Sequence, residues 1–153
     1  INTGAVLAPG HSIESLDTGN LSFTDNTAPF LVEIDIDANT ADSVNVTGSV
    51  DLNGPANTAA PQLVFSFITG TPPLGSPVAF TIINNDTNSD AVDGIFAGMP
   101  DDLPVTQNGT YFSVNYNGGD GNDVVVTFTE VPEPTSAAVF AAAAGLMLRR
   151  RRR

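Results

Sequence analysis

Alternation of apolar and polar residues at period two constrains this chain more than any other feature. Phe30, Val32, Ile34 and Ile36 are apolar, and Glu33, Asp35 and Asp37 between them are acidic, with Leu31 the exception. Successive side chains of a strand point to opposite faces, so this spacing predicts a half-buried strand with an acidic outer face. From Asp42 to Leu52, the even positions Val44, Val46, Gly48, Val50 and Leu52 alternate with Ser43, Asn45, Thr47, Ser49 and Asp51. Gly48 in that phase marks a bulge or a corner. Leu63, Phe65 and Phe67 form a third apolar face, Val78, Phe80 and Ile82 a fourth, and Asp123 to Thr129 a Val-rich fifth. Shorter candidates lie at 12–16, 20–24, 94–97 and 110–116.

Turn residues separate these segments: Asp17-Thr18-Gly19-Asn20, Asn53-Gly54-Pro55, Gly70 to Pro77, Asn84 to Asp90, Asn108-Gly109 and Asn117 to Asn122. Nothing before residue 134 carries a sustained 3.6-residue stripe, so the body is expected to be all-β. A length of 153 residues suits one domain. Short strands with frequent turns fit a β-sandwich and a β-solenoid alike, and no internal repeat of fixed length separates the two.

Charge narrows the function classes. All five cationic side chains are Arg149 to Arg153, so residues 1–148 set no Lys or Arg against the chain's 17 Asp and Glu. Such a body cannot neutralise phosphates, which excludes nucleic acid as its partner, and it has no cationic clamp for phosphoryl transfer. Without Cys there are no disulfides, thiolate nucleophiles or zinc–thiolate sites, and the single His11 reads as a loop residue. The adjacent Asp101 and Asp102 could in principle serve glycoside hydrolysis. No Trp and only Tyr111 and Tyr116 stand ready as a sugar platform, so a non-enzymatic protein with no required cofactor is expected. Strand edges have no Lys to guard them, which leaves association between copies open.

The two ends differ. The start has no basic region followed by an apolar run, so a fragment or processed form is expected, without whatever export signal it had, if any. At the other end, Val131-Pro132-Glu133-Pro134 interrupts both strand and helix, because proline lacks a donor and fixes φ. An Ala-rich helix former follows. From Thr135 to Leu148 it would span roughly 21 Å at ~1.5 Å per residue, against a hydrocarbon core of ~30 Å. Snorkelling arginines and local thinning cover part of the difference. Arg149 to Arg153 orient the segment with the carboxyl terminus cytoplasmic and the body outside.

A Pro-Glu-Pro hinge, a short apolar helix and a terminal arginine cluster in this order resemble the PEP-CTERM sorting signal of exported proteins in Gram-negative, polysaccharide-producing bacteria. The resemblance implies recognition of Val131, Pro132, Glu133 and Pro134, together with Arg149, Arg150, Arg151, Arg152 and Arg153, by a membrane-embedded exosortase. It divides the chain into an extracellular all-β domain (1–130), a hinge (131–134) and a transmembrane sorting helix (135–153). Ala8-Pro9-Gly10, Thr81-Ile82-Ile83-Asn84-Asn85-Asp86, Gly94 to Pro100 and Tyr116 to Val126 resemble the closing region of surface proteins with autotransporter-associated β-strand repeats. That resemblance implies the end cap of a right-handed β-solenoid and no catalytic residue.

Gly118-Gly119-Asp120-Gly121-Asn122-Asp123-Val124-Val125-Val126 also matches the nine-residue calcium repeat GGxGxDxUx. Asp120 and Asp123 are hard oxygen ligands suited to Ca²⁺, but a single copy lacks the stacked neighbour that completes coordination, and a Gly-rich turn explains the same residues. The expected function is an exported structural or adhesin-like protein at the cell surface or in the extracellular matrix. Its partners would be exosortase and the export machinery, transiently the inner membrane, and exopolysaccharide or copies of itself. The alternatives are a carbohydrate-binding module, Ca²⁺-dependent or not, and a self-assembling filament subunit.

Overall fold

The computed structural model describes residues 1–2, 4–24, 26–53, 60–72, 75–86 and 90–130, and these form strands and no helix. The strands are β1 (Ser15–Thr18), β2 (Leu21–Ser22), β3 (Phe30–Asp35), β4 (Thr40–Ala41), β5 (Ser43–Val46), β6 (Val50–Asp51), β7 (Leu63–Thr69), β8 (Val78–Asn85), β9 (Val105–Gln107), β10 (Thr110–Gly118) and β11 (Asp123–Phe128). The all-β expectation holds for these residues. The hinge and sorting helix expected over 131–153 lie outside them.

The chain passes the same three sheets in the same order three times. Leu7, β3 and β7 stack in one sheet: Leu7 bridges Phe30 and Phe30 pairs with Leu63, both in parallel. β1, β5 and β8 stack in a second, again in parallel. β2 and β6 stack in a third, extended by a parallel bridge from Asp51 to Asp93. Parallel neighbours need long crossovers, and here the other two sheets supply them. After the third pass the pattern changes. β9, β10 and β11 form an antiparallel meander, and β11 pairs antiparallel with β8, giving the order β1-β5-β8-β11-β10-β9.

Stacking in register builds the core as columns. Leu16, Val44, Ile83 and Val124 are cross-strand partners in one column, and the last three are fully buried. Leu16, on the outermost turn, stays 38% exposed. The columns close around an aromatic group from two sheets, in which Phe128 lies 5.2 Å from Phe65, 5.5 Å from Phe67 and 5.8 Å from Phe112 between ring centroids. Outward positions stack too. Asn45 Nδ2 donates to Asp17 Oδ1 at 2.7 Å, and Asn84 Nδ2 donates to Asn45 Oδ1 at 3.2 Å, a polar ladder across three turns.

Several expected segments are revised. The strand sought at 12–16 forms at Ser15–Thr18. The segment 94–97 is not a strand, and Gly94 takes a φ of 91° there. β8 changes phase within itself: Phe80 and Ile82 face the core, then Ile83 and Asn85 do. The cause is a bulge, where the β8–β11 register shifts between Val124 and Val125.

Gly48 is a corner between β5 and β6, in different sheets, and stacks on the preceding corner, where Ser49 N donates to Asn20 Oδ1 at 3.1 Å. A Cβ at Gly48 would lie 2.7 Å from the Gly19 carbonyl oxygen, whereas one at Gly19 would meet nothing within 4 Å. Gly48→Val should therefore cost about 1–3 kcal/mol through overpacking against backbone. Gly19→Ala should stay within about 0.5 kcal/mol of the parent. Chemical denaturation of both variants checks this pair, and equal stabilities would remove the close-approach explanation.

Candidate functional site

The sorting residues Val131, Pro132, Glu133, Pro134 and Arg149 to Arg153 lie outside the described residues. The calcium-repeat match falls on the β10–β11 hairpin. Gly121 N donates to Gly118 O at 2.8 Å to close the turn, and the strand that follows has antiparallel neighbours, β10 and β8, rather than a stacked second copy. Asp120 sits exposed in that turn. Asp123 turns inward, is 7% exposed and accepts a hydrogen bond from Asn85 N at 2.9 Å through Oδ1. Burial pushes its carboxyl above the usual range, the Asn85 N–H opposes that, and the negative charge of Asp120 adds to it. Gly119 has a φ of 56°, and a Cβ there would come within 2.6 Å of the Asp123 carboxyl carbon, so glycine is required beside it.

Of the two residues the motif joins, Asp120 thus faces solvent and Asp123 faces inward. Among the described residues, no group of three His, Cys, Asp or Glu side chains is placed to hold a metal ion. What gathers around Asp123 is instead a set of amides. The phase change in β8 buries Asn85, 2% exposed, and the hairpin buries Asn122, 1% exposed. Both side-chain amides donate to one carbonyl, Asp90 O, at 3.2 Å from Asn85 Nδ2 and 3.1 Å from Asn122 Nδ2. Asn85 Oδ1 and Asp90 Oδ1 are buried and accept no hydrogen bond. Motif reading missed this cluster, because Asn85 looks outward in the phase of Phe80 and Ile82. The Asn84-Asn85-Asp86 run at a strand end was its one visible signal.

His11 is exposed. Asp101 accepts from Tyr116 N at 3.0 Å and from Asn117 Nδ2 at 3.1 Å, while Asp102 accepts from Asn115 Nδ2 at 2.8 Å. Both carboxylates are engaged in fastening the 101–102 segment to β10. The buried Tyr116 hydroxyl accepts from Phe96 N and donates to Met99 O, each at 2.9 Å. Burial is the main reason its pKa is raised, the Phe96 N–H opposes the rise, and Asp101 adds to it. In the acidic row, Asp35 accepts from the Thr69 hydroxyl and from Ala38 N, and these bonds, the hydroxyl first, hold its carboxyl below the usual range. Glu33 Oε2 is buried without a hydrogen-bond partner. Compared with known proteins, the chain matches no family model, no curated protein and no solved structure.

Proposed function

We propose that this chain is an exported, surface-sorted structural or adhesin-like protein, processed by an exosortase at a PEP-CTERM signal over residues 131–153. The observation that carries the reading is the order of three parts: Val131-Pro132-Glu133-Pro134, the apolar run to Leu148, and Arg149 to Arg153. Each has a physical task in sorting: an extended recognition segment, a membrane-inserted helix, and a charge that holds one end in the cytoplasm. The body is the last turns of a right-handed β-solenoid with an antiparallel cap. Three parallel passes through the same three sheets, closed by the β9–β11 meander, support that architecture.

Self-assembly is a second reading, favoured by one specific observation. β1 ends the six-stranded sheet, and no described strand pairs along its outer side. An exposed strand edge recruits further strands, from copies of the chain or from further turns.

Replacing Arg149 to Arg153 with Ser should reduce both processing and surface retention in an exosortase-bearing host, as followed by mass spectrometry of the mature terminus and by cell fractionation. In spheroplasts, protease added outside should cleave the body of the unprocessed parent chain. Unchanged processing of the Ser variant, or a body protected from protease, would count decisively against the sorting reading.

A further inference from the structure

We propose that Asn85, Asp90, Asn122 and Asp123 form a binding site for one calcium-like divalent cation, which ties the end of β8 and the Asp90 segment to the β10–β11 hairpin. This site is independent of the sorting signal and lies inward of the hairpin turn. It draws on Asn85 and Asp90, neither of which lies in the nine-residue repeat.

Three observations lead to it. First, the four residues meet: the amides of Asn85 and Asn122 donate to the Asp90 backbone carbonyl, and the Asn85 backbone N–H is 2.9 Å from Asp123 Oδ1. Second, Asn85 Oδ1 belongs to a residue that is 2% exposed and has no donor, and the buried Asp90 Oδ1 has none either. A buried carboxylate oxygen without a donor is costly, so native proteins satisfy such atoms with protein groups, ordered water or ions. Third, no Lys or Arg stands among the described residues to supply the countercharge, since residues 1–148 contain none. In most proteins an arginine could fill this role. Among the described residues none does, and a cation from solution can.

The chemistry of the donors selects the ion. Carboxylate and amide oxygens are hard ligands, and no His or Cys is present to favour a softer metal. The donors come from separate segments, β8, the Asp90 loop and the hairpin. That irregular arrangement suits Ca²⁺, which accepts six to eight oxygens in flexible geometry, better than Mg²⁺, which demands a near-ideal octahedron. Two carboxylates and two neutral amides set a low charge count. Affinity should accordingly be that of extracellular modules, a Kd of ~10⁻⁴ to 10⁻³ M. The competing occupant of such a pocket is an ordered water, which would also satisfy the two oxygens.

The test uses the full chain, freed of metal with chelator and held near ~0.15 M ionic strength so that diffuse binding to the polyanion is screened. Equilibrium dialysis with CaCl₂ should find one saturable site per chain, with MgCl₂ at least ~10-fold weaker. Asp90→Asn should weaken Ca²⁺ binding at least ~10-fold by removing ligand charge. Asp120→Asn, in the exposed turn, should leave it within about twofold. Asn85→Asp gives an arm that does not depend on Asp90→Asn folding: it should tighten Ca²⁺ binding and make melting more sensitive to chelator than in the parent. The site is refuted if no saturable binding appears below about 10 mM, or if Mg²⁺ matches Ca²⁺. It is equally refuted if Asp120→Asn abolishes binding while Asp90→Asn spares it, which would return the ion to the hairpin turn. Chelator-insensitive melting in Asn85→Asp would leave ordered water as the occupant.

Discussion

Phe128→Ala should lower the unfolding free energy by about 3–5 kcal/mol, the upper range for removing a core aromatic. Phe128 is fully buried in β11, and four other phenylalanines from β7, β8 and β10 surround it. With Phe65 it makes an edge contact at 5.2 Å and 74°, and with Phe67 another at 5.5 Å and 70°. Phe65 also meets Phe112 edge-on at 5.0 Å and 87°. Edge-to-face geometry adds ~0.5–1.5 kcal/mol per pair to simple area burial. These contacts join the sheet of β7 to the six-stranded sheet of β8, β10 and β11. The cavity left by Ala therefore lies at a seam between two sheets, with backbone hydrogen bonds holding each of its walls. Phe128→Leu fills part of that volume and should cost less than half as much. Urea titrations of the three proteins at equal m-value check the order. A loss below about 1.5 kcal/mol for Ala would mean that the seam collapses freely and that the aromatic group does not anchor the two sheets to each other.

The alternation from Phe30 to Asp35 and from Ser43 to Val46 was legible because each of those strands keeps one phase from end to end, buried on one face and half-buried on the other. The Gly48 corner was legible for a related reason. A glycine in the inward phase has no side chain to bury, so its use must be close approach. Stacking was not legible, because the turns differ in length. Asn45 follows its ladder partner Asp17 by 28 residues, and Asn84 follows Asn45 by 39. Such unequal spacing leaves no periodic signal in the sequence, although it builds a periodic set of hydrogen bonds. The site around Asn85 was hidden by the bulge in β8. A single extra residue exchanges the faces of everything beyond it, so a residue that period two assigns to solvent becomes one of the most buried polar groups among the described residues. Asp123 was visible as part of a motif, but its inward placement follows from the antiparallel hairpin, which the motif does not encode.

Asp42 carries the other large expected effect. It occupies the even, inward phase of Val44 and Val46, it is 1% exposed, and it sits just before β5. Its two carboxylate oxygens serve two different turns of the chain: Oδ1 accepts from Glu14 N and Oδ2 from Glu33 N, each at 2.9 Å. Its own N–H donates to Glu33 O at 2.9 Å, so one residue bridges the entry to β1 and the middle of β3. Asn is nearly the same size but presents one acceptor and one donor. It can keep one of the two bonds, and it then turns an amide N–H toward a backbone N–H at the other. Hydrogen bonds to charged groups contribute about 1.5–3 kcal/mol, and a buried donor left without a partner costs about 1–3 kcal/mol. Asp42→Asn should therefore lose about 2–3 kcal/mol, and Asp42→Ala, which strands both donors, about 3–5 kcal/mol. Removing any acid also relieves repulsion in a chain of net charge −12. Asp17→Asn controls for that, because it removes the same charge from the exposed ladder and should stay within about 0.5 kcal/mol of the parent. Denaturant titration of the three variants measures the difference directly. If Asp42→Asn matched Asp17→Asn, the two backbone N–H groups would be satisfied without the carboxylate, and the bridge between turns would contribute nothing to stability.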